Sequence, residues 1–308
     1  MSNLNAPHFQ DADKAREYLE RLRWPNGPVC PHCGSESDHY RIKGKSARPG
    51  LWKCKDCRKQ FSVTVGTVFH RSKVPLNIWL QATFLLCSSK KGISAHQVHR
   101  MLGVTYKTAW FMCHRIREAM NNPHIGLLGS GGGTVEADET YWGQSKGRQK
   151  RRGYDHKMKI VALVERDGDV RSFHVPHVNA KTLAPILQAQ IAADAKLMTD
   201  ELAVYRPIGK LFASHGVVNH TKKIYADGEV TTNTIESVFS LLKRGLMGTF
   251  HHVSEEHLQR YLHEFDFRYN MRSSQGYQDI DRTDVALIGI AGKRLTYRRP
   301  KEEAQIGA

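Results

Sequence analysis

Four of the six cysteines fall into two tight knuckles, Cys30-Pro-His-Cys33 and Cys54-Lys-Asp-Cys57, with 20 residues between them. No other feature constrains the chain as strongly. Four thiolates on two sharp turns supply the tetrahedral sulfur cage that structural Zn²⁺ favours, so residues 28–70 are expected to close into a zinc ribbon. A redox role would need one such pair, not two at ribbon spacing. His32 and His39 lie nearby, but four Cys already complete the shell. Cys87 and Cys113 fall on the apolar faces of expected helices and read as core residues.

Reduced thiols suit a reducing compartment, and the first residues, MSNLNAPHFQDADK, have neither the basic nor the apolar region of a secretory signal. A cytoplasmic, nucleoid-associated location is therefore expected. The charge balance, 46 Lys+Arg against 30 Asp+Glu, gives a net +16 and points to a polyanion. Double-stranded DNA is the expected partner rather than a membrane: the longest apolar run, around FLLC (84–87), is far too short to span a bilayer. Residues 1–125 carry 20 basic and 8 acidic residues, whereas 126–308 carry 26 and 22. The front is thus the main polyanion-binding part, and the back is a more neutral domain that concentrates its acids.

Residues 12–23 have helical spacing (Ala15, Tyr18, Leu19, Leu22), and 75–120 read as three helices. Within the latter, Ser94 and Gln97 form a capping box, Val98, Met101 and Leu102 give an apolar side, and Gly103 supplies a tight turn. Thr105 can cap a second helix whose Ala109, Met112, Cys113 and Ile116 face inward. Tyr106, Lys107, His114, Arg115 and Arg117 are then expected to face outward, as the DNA-reading side of a helix-turn-helix would. An ordinary helical hairpin with a solvated basic face fits the segment equally well. The ribbon upstream and the charge of the front favour DNA binding.

The Gly-rich stretch GLLGSGGGT (126–134) marks the main boundary, and beyond it the pattern changes. A strand over 134–142 is followed by the basic loop GQSKGRQKRRGYDHK, where Lys146, Arg148, Lys150, Arg151 and Arg152 are candidate phosphate contacts. Two strands joined at Gly168, a helix over 180–195, a short strand ending in Asp200, a helix around 202–212 and a further short strand come next. Two long helices, 233–246 and 254–272, follow.

The strand VEADETYWG (135–143) carries three acids. Alternation puts Glu136 and Asp138 on one face and Glu139 on the other, where it reads as a solubility residue. Strand, basic loop, two strands, helix, strand-Asp, helix, strand, helix-Glu is the element order of a ribonuclease H-like mixed-sheet α/β domain. That order brings Asp138, Asp200 and Glu236 together, three oxygen donors suited to two Mg²⁺ or Mn²⁺ ions. Each acid also has a plain structural alternative. Asp138 could be a strand-edge charge and Asp200 a helix cap, while Asn233-x-x-Glu236 is itself a capping box.

The knuckles CPHCG and CKDC, then FSVTVGTVF, PLNIWLQA and LGVTYKTAWFMCHRIREAM, resemble the front of bacterial insertion-sequence transposases with a zinc ribbon, the ISXO-like family. VEADETYWG, MTDE, TNTIESVFSLLKRGLMGTFHHVS and EFDFRYNMR resemble the family's catalytic part. The resemblance spans about residues 28 to 272 and implies a DDE-type transposase that cleaves and transfers DNA strands at element ends. The family's third catalytic residue is Glu or Asn, and Glu236 and Asn233 are both present here. Lys243 matches a basic residue that the family places near the phosphate or leaving strand. The expected organisation is an N-terminal helix (1–27), zinc ribbon (28–70), helix-turn-helix (74–125), linker (126–133), catalytic domain (134–275) and C-terminal segment (276–308) with a disordered end, YRRPKEEAQIGA. A homo-oligomer on paired ends is expected. The rival functions are a non-catalytic DNA-binding regulator and a ribonuclease H-like nuclease that cuts without joining.

Overall fold

The computed structural model describes residues 4–37, 39–44, 47–121, 126–150, 152–219 and 226–296. The chain divides into two compact units, one built from residues up to Asn121 and from Tyr277 onward, the other from 122 to 276. The first contains α1 (Pro7–Gln10), α2 (Ala12–Arg23), β1 (Tyr40–Arg41), β2 (Trp52–Lys53), β3 (Gln60–Phe61), α3 (Leu76–Ser88), α4 (Ala95–Leu102) and α5 (Tyr106–Met120). The second contains β4 (Thr134–Trp142), β5 (Met158–Glu165), β6 (Val170–Val175), α6 (Ala180–Gln190), β7 (Lys196–Thr199), α7 (Tyr205–Gly209), β8 (Ser214–Val217), β9 (Ala226–Asp227), β10 (Val230–Thr231), α8 (Asn233–Gly245) and α9 (Glu255–Asn270). The chain then returns to the first unit as α10 (Asp279–Ile288).

In the first unit β1, β2 and β3 form a small antiparallel sheet beside the cysteine knuckles, with Trp24 packed edge-on against Phe61 and Trp52. The helices form around α3, whose Trp79, Leu80, Leu86 and Cys87 are buried. α10 packs on α3, α2 and α5, so the segment that the sequence sets apart at 276 completes the front unit. Arg282 of α10 donates from Nε to the Cys87 carbonyl (3.0 Å), satisfying one of the free acceptors at the end of α3. The tail from Tyr297, expected to be disordered, lies outside the described residues.

The second unit is built on a five-stranded sheet in the order β6-β5-β4-β7-β8. The first two pairings are antiparallel and the last two parallel, the arrangement of a ribonuclease H-like fold. Strand alternation makes two cores. Val135, Ala137, Val161 and Leu163 pack against Leu183 and Leu187 of α6 and Tyr205 and Ile208 of α7. Ile160, Ala162 and Val164 face Ile235, Val238, Phe239 and Leu242 of α8 and Leu258 and Leu262 of α9.

Strand β6 is a sheet edge, and α9 covers its free backbone with side chains. Gln259 Oε1 accepts from the His174 N–H (2.8 Å) and its Nε2 donates to the Ser172 carbonyl (2.9 Å). Asp266 accepts from the Ser172 N–H and hydroxyl, both at 2.7 Å. Asn270 accepts from the Val170 N–H (2.7 Å) and donates to its carbonyl (3.0 Å). An edge finished this way offers no template to another strand.

Three expectations change. The helix expected over 180–195 stops at Gln190, where Ile191 turns extended (φ −115°) and bridges to Leu128. The helix around 202–212 shortens to the five residues of α7. The Gly-rich stretch is docked rather than loose: Leu128 is buried, its N–H reaches the Gln190 carbonyl (2.9 Å), and its carbonyl accepts from Ala192 (2.9 Å). Gly129 has φ +73°, and a Cβ there would meet that of Ala195 at 2.6 Å, so a side chain is excluded twice over.

Candidate active site

β7 runs parallel to β4 and its last paired residue, Thr199, lies opposite Ala137. Continuing that register by one residue sets Asp200 beside Asp138, midway along β4 and just past the carboxyl end of β7, the end of a parallel strand where α/β sheets place their ligands. Asp138, Glu139 and Asp200 each offer a carboxylate oxygen within 4.8 Å of the others. Asp138 and Asp200 were expected here. Glu139 corrects an expectation: it does leave β4 on the face opposite Asp138, but it is no solubility residue. Its carboxylate accepts from the hydroxyl of fully buried Tyr205 (3.0 Å) and joins the cluster.

The electrostatics follow from burial. Asp138 is pushed up to about 8, first by desolvation and then by the charges of Glu139, Asp200 and Glu236. Glu139 is pushed up to about 7 by burial and by Asp200. No basic side chain is among the largest influences on either. Oxygen donors crowded together in this way are the donor set a hard divalent cation fits.

Glu236 is exposed on the first turns of α8, close enough for its charge to act on Asp138. The capping-box alternative for Asn233 and Glu236 does not hold. Asn233 is the first helical residue, the cap position belongs to Thr232, and no cap side chain bonds the helix. The acceptor comes instead from β4: Glu136, fully buried, takes the Ile235 N–H on Oε2 (2.9 Å) and Arg166 Nε on Oε1 (2.8 Å). Asp200 Oδ1 accepts from the Leu202 N–H (3.0 Å), but α7 begins only at Tyr205, so Asp200 is not its cap. Lys243 is exposed on the stripe it shares with Glu236. In the basic loop Lys146 pairs with Glu256 (2.7 Å) and Arg148 donates to the Asp155 carbonyl (2.9 Å). Lys150 and Arg152 are exposed, and Arg151 lies outside the described residues. Tyr154 of the same loop stacks on Tyr141 of β4 (4.6 Å, 16°).

The cysteine quartet closes as expected. Cys30 and Cys57, and likewise Cys33 and Cys54, hold their sulfurs 3.7 Å apart. The edge of a tetrahedron with Zn–S bonds of about 2.3 Å is roughly 3.8 Å, so the four sulfurs fit a zinc ion. Each knuckle ends on a left-handed residue, Gly34 (φ +75°) and Arg58 (φ +59°), directly after its second cysteine.

The helix pair α4–α5 turns at Gly103 (φ +64°) with Ser94 and Thr105 capping through their side chains, as the sequence implies. Its outward face does not match. Tyr106 and Lys107 are exposed, but His114 (0%), Arg115 (6%) and Arg117 (2%) are buried. The reason is that α5 is packed by both α3 and α10. Arg115 donates to the His70 carbonyl (2.9 Å) and lies over the rings of Trp79 and Phe111, and His114 sits against Trp110 (4.1 Å). Met101, expected to be inside, is 51% exposed. The DNA-facing candidates narrow to the first turn of α5, where Tyr106 stacks on His96 (4.1 Å).

Residues 130–270 match the ISXO2-like transposase domain, and residues 10–60 match a transposase zinc-ribbon domain. An uncharacterized protein in transposable element ISH50 of Halobacterium salinarum is 30% identical over 282 residues, covering 84% of this chain and 91% of that protein. The chain belongs to the ISXO2-like transposase family. An uncharacterized transposase-like protein of Haemophilus influenzae is also 30% identical, over 96 residues that cover 31% of this chain and 76% of that protein. The transposase domain encloses the whole acidic cluster together with α8, and the ribbon match takes in all four cysteines. Among the described residues of this transposase, no helix is long and apolar enough to cross a membrane.

Proposed function

We propose that this transposase binds the terminal repeats of its element and catalyses metal-dependent cleavage and transfer of DNA strands. The observation that carries this is the meeting of Asp138 and Glu139 of β4 with Asp200 at the end of β7, and with Glu236 arriving from α8. Asp138 and Asp200, with Glu139 or Glu236, would hold two Mg²⁺ or Mn²⁺ ions. Bound there, such ions polarise the phosphoryl group and favour an oxygen nucleophile at neutral pH. Tyr205 fixes the Glu139 carboxylate by its hydrogen bond. Lys243 and the exposed Lys150 and Arg152 supply positive charge for the DNA backbone. The ribbon and the first turn of α5, with Tyr106 and Lys107, meet double-stranded DNA at the element ends. Joining requires two ends held together, so the working form is a homo-oligomer on paired ends.

The test is to incubate the protein with its own element ends, with and without Mg²⁺. Nicked and joined products are expected only with the metal. Glu236→Gln should nearly abolish cleavage while end binding survives, and Asn233→Asp should cut nearly as well as wild type. Full strand transfer by Glu236→Gln beside a dead Asn233→Asp would move the third catalytic role to Asn233. Ends that are bound but never cut in Mg²⁺ or Mn²⁺ would favour a DNA-binding regulator.

A further inference from the structure

Glu136 is a fully buried carboxylate on the strand of the acidic cluster, two residues before Asp138, and the metal site does not use it. Burying such a group is costly unless it is paired and hydrogen-bonded. Here both oxygens are engaged, one directly by α8 and the other by an arginine that itself reaches the approach to α8. Oε2 takes the Ile235 N–H (2.9 Å), one of the free donors at the helix start, where the helix dipole also favours a negative charge. Oε1 takes Arg166 Nε (2.8 Å), and Arg166 Nη2 reaches the carbonyl of Thr231 (3.0 Å), two residues before the helix. One carboxylate thus ties β4, the β5–β6 turn and the entry to α8 into a single unit.

We infer that Glu136 and Arg166 form a clamp that sets the first turn of α8, and with it Glu236, against Asp138. Glu136 is a positioning residue and touches no substrate. Glu136 and Asp138 share a strand face and lie two positions apart, about 6.6 Å along β4. The helix is therefore registered against the same rigid strand that presents Asp138. No cap side chain from its own sequence does this. A site of this kind tolerates little displacement, and about 1 Å can cost 10²-fold in rate. The inference rests on the metal-site reading of Asp138 and α8 given above.

The test uses the full-length, zinc-loaded protein and Mn²⁺ alone as probe, with binding isotherms taken well below the melting temperature of every variant. Glu136→Asp keeps the charge and shortens the reach by one methylene. Arg166→Lys is a milder change that keeps the charge and loses the second donor, to Thr231. Asn270→Ala, at the far β6 edge, is the control for lowered stability without a tie to the site. Glu136→Asp is expected to weaken Mn²⁺ binding at least tenfold and Arg166→Lys three- to tenfold, with cleavage falling in step, while Asn270→Ala binds Mn²⁺ as wild type does. Wild-type Mn²⁺ affinity in soluble Glu136→Asp or Arg166→Lys, or an equal loss in Asn270→Ala, overturns the clamp. If Asp138→Asn leaves wild-type Mn²⁺ binding intact, the metal site itself is wrong, and the clamp's role goes with it.

Discussion

Asp138 and Glu139 have pKa values raised to about 8 and about 7, and the direction has a measurable consequence. Their unfolded values lie near 4, so between about pH 4 and pH 8 the folded chain binds more protons than the unfolded one. Stability from these groups is fully present below about pH 4, falls progressively above it, and is wholly lost once pH passes their folded values of about 7 and about 8. A divalent cation competes with those protons and reverses the loss. Without Mg²⁺ or Mn²⁺, thermal denaturation of the second unit is therefore expected at lower temperature at pH 8.5 than at pH 6. Added Mn²⁺ should raise the midpoint more at pH 8.5 than at pH 6. Equal Mn²⁺ stabilisation at both pH values would mean that these carboxylates are not the ligands. The sequence made Asp138 and Asp200 legible, because alternation and strand order locate them. It could not make Glu139 legible: period two assigns a face, but the Tyr205 hydroxyl that holds its carboxylate lies 66 residues away. Glu136 was visible as an acid on the Asp138 face, yet its partners lie 30 and 99 residues away.

At the scale of elements, α5 shows how a helix can have a readable amphipathic pattern and still hide its polar side. Its caps and its inner residues follow from local spacing, whereas the burial of Arg115 and Arg117 depends on α3 and on α10, more than 150 residues downstream. The two basic positions should therefore respond differently. Lys107→Ala is expected to weaken binding to DNA ends, by about 1–3 kcal/mol if a base contact is lost, without changing the melting profile. Arg115→Ala removes the bond to His70 and the packing over Trp79 and Phe111, and should lower stability by roughly 1–3 kcal/mol. Binding by Arg115→Ala that is weakened in proportion to a lost base contact, with an unchanged melting temperature, would restore its outward role. The β6 edge gives a parallel case. Asn270→Ala leaves the Val170 N–H and carbonyl without their side-chain partner, at about 1–3 kcal/mol, and uncovers part of an edge strand. A lower melting temperature and more aggregation are expected, checked by calorimetry and light scattering; wild-type behaviour in both would rule out edge protection by α9.

Over the whole molecule the ribbon and the second unit draw stability from different sources. The second has apolar cores on both faces of a five-stranded sheet. The ribbon has three strands of two residues each, too little to stand without a staple. Zinc on the four cysteines would supply that staple, because the energy of binding it would there be energy of folding. The same asymmetry should govern the proposed DNA binding, since the front carries most of the net +16. Backbone contacts release counterions, so log affinity for a nonspecific duplex falls linearly with log salt, with a slope of about −0.9 per phosphate contacted. Stripping zinc from the full-length protein under native conditions should unfold the ribbon and flatten that slope by the contacts it loses. The melting transition of the second unit, and its Mn²⁺ response, should stay where they were. Zinc content, a salt titration on a duplex unrelated to the element, and calorimetry on the same sample measure all three. A zinc-free protein with an unchanged slope would take the ribbon off the DNA, whereas a second-unit transition that falls with the zinc would show that the ribbon's order supports the catalytic fold.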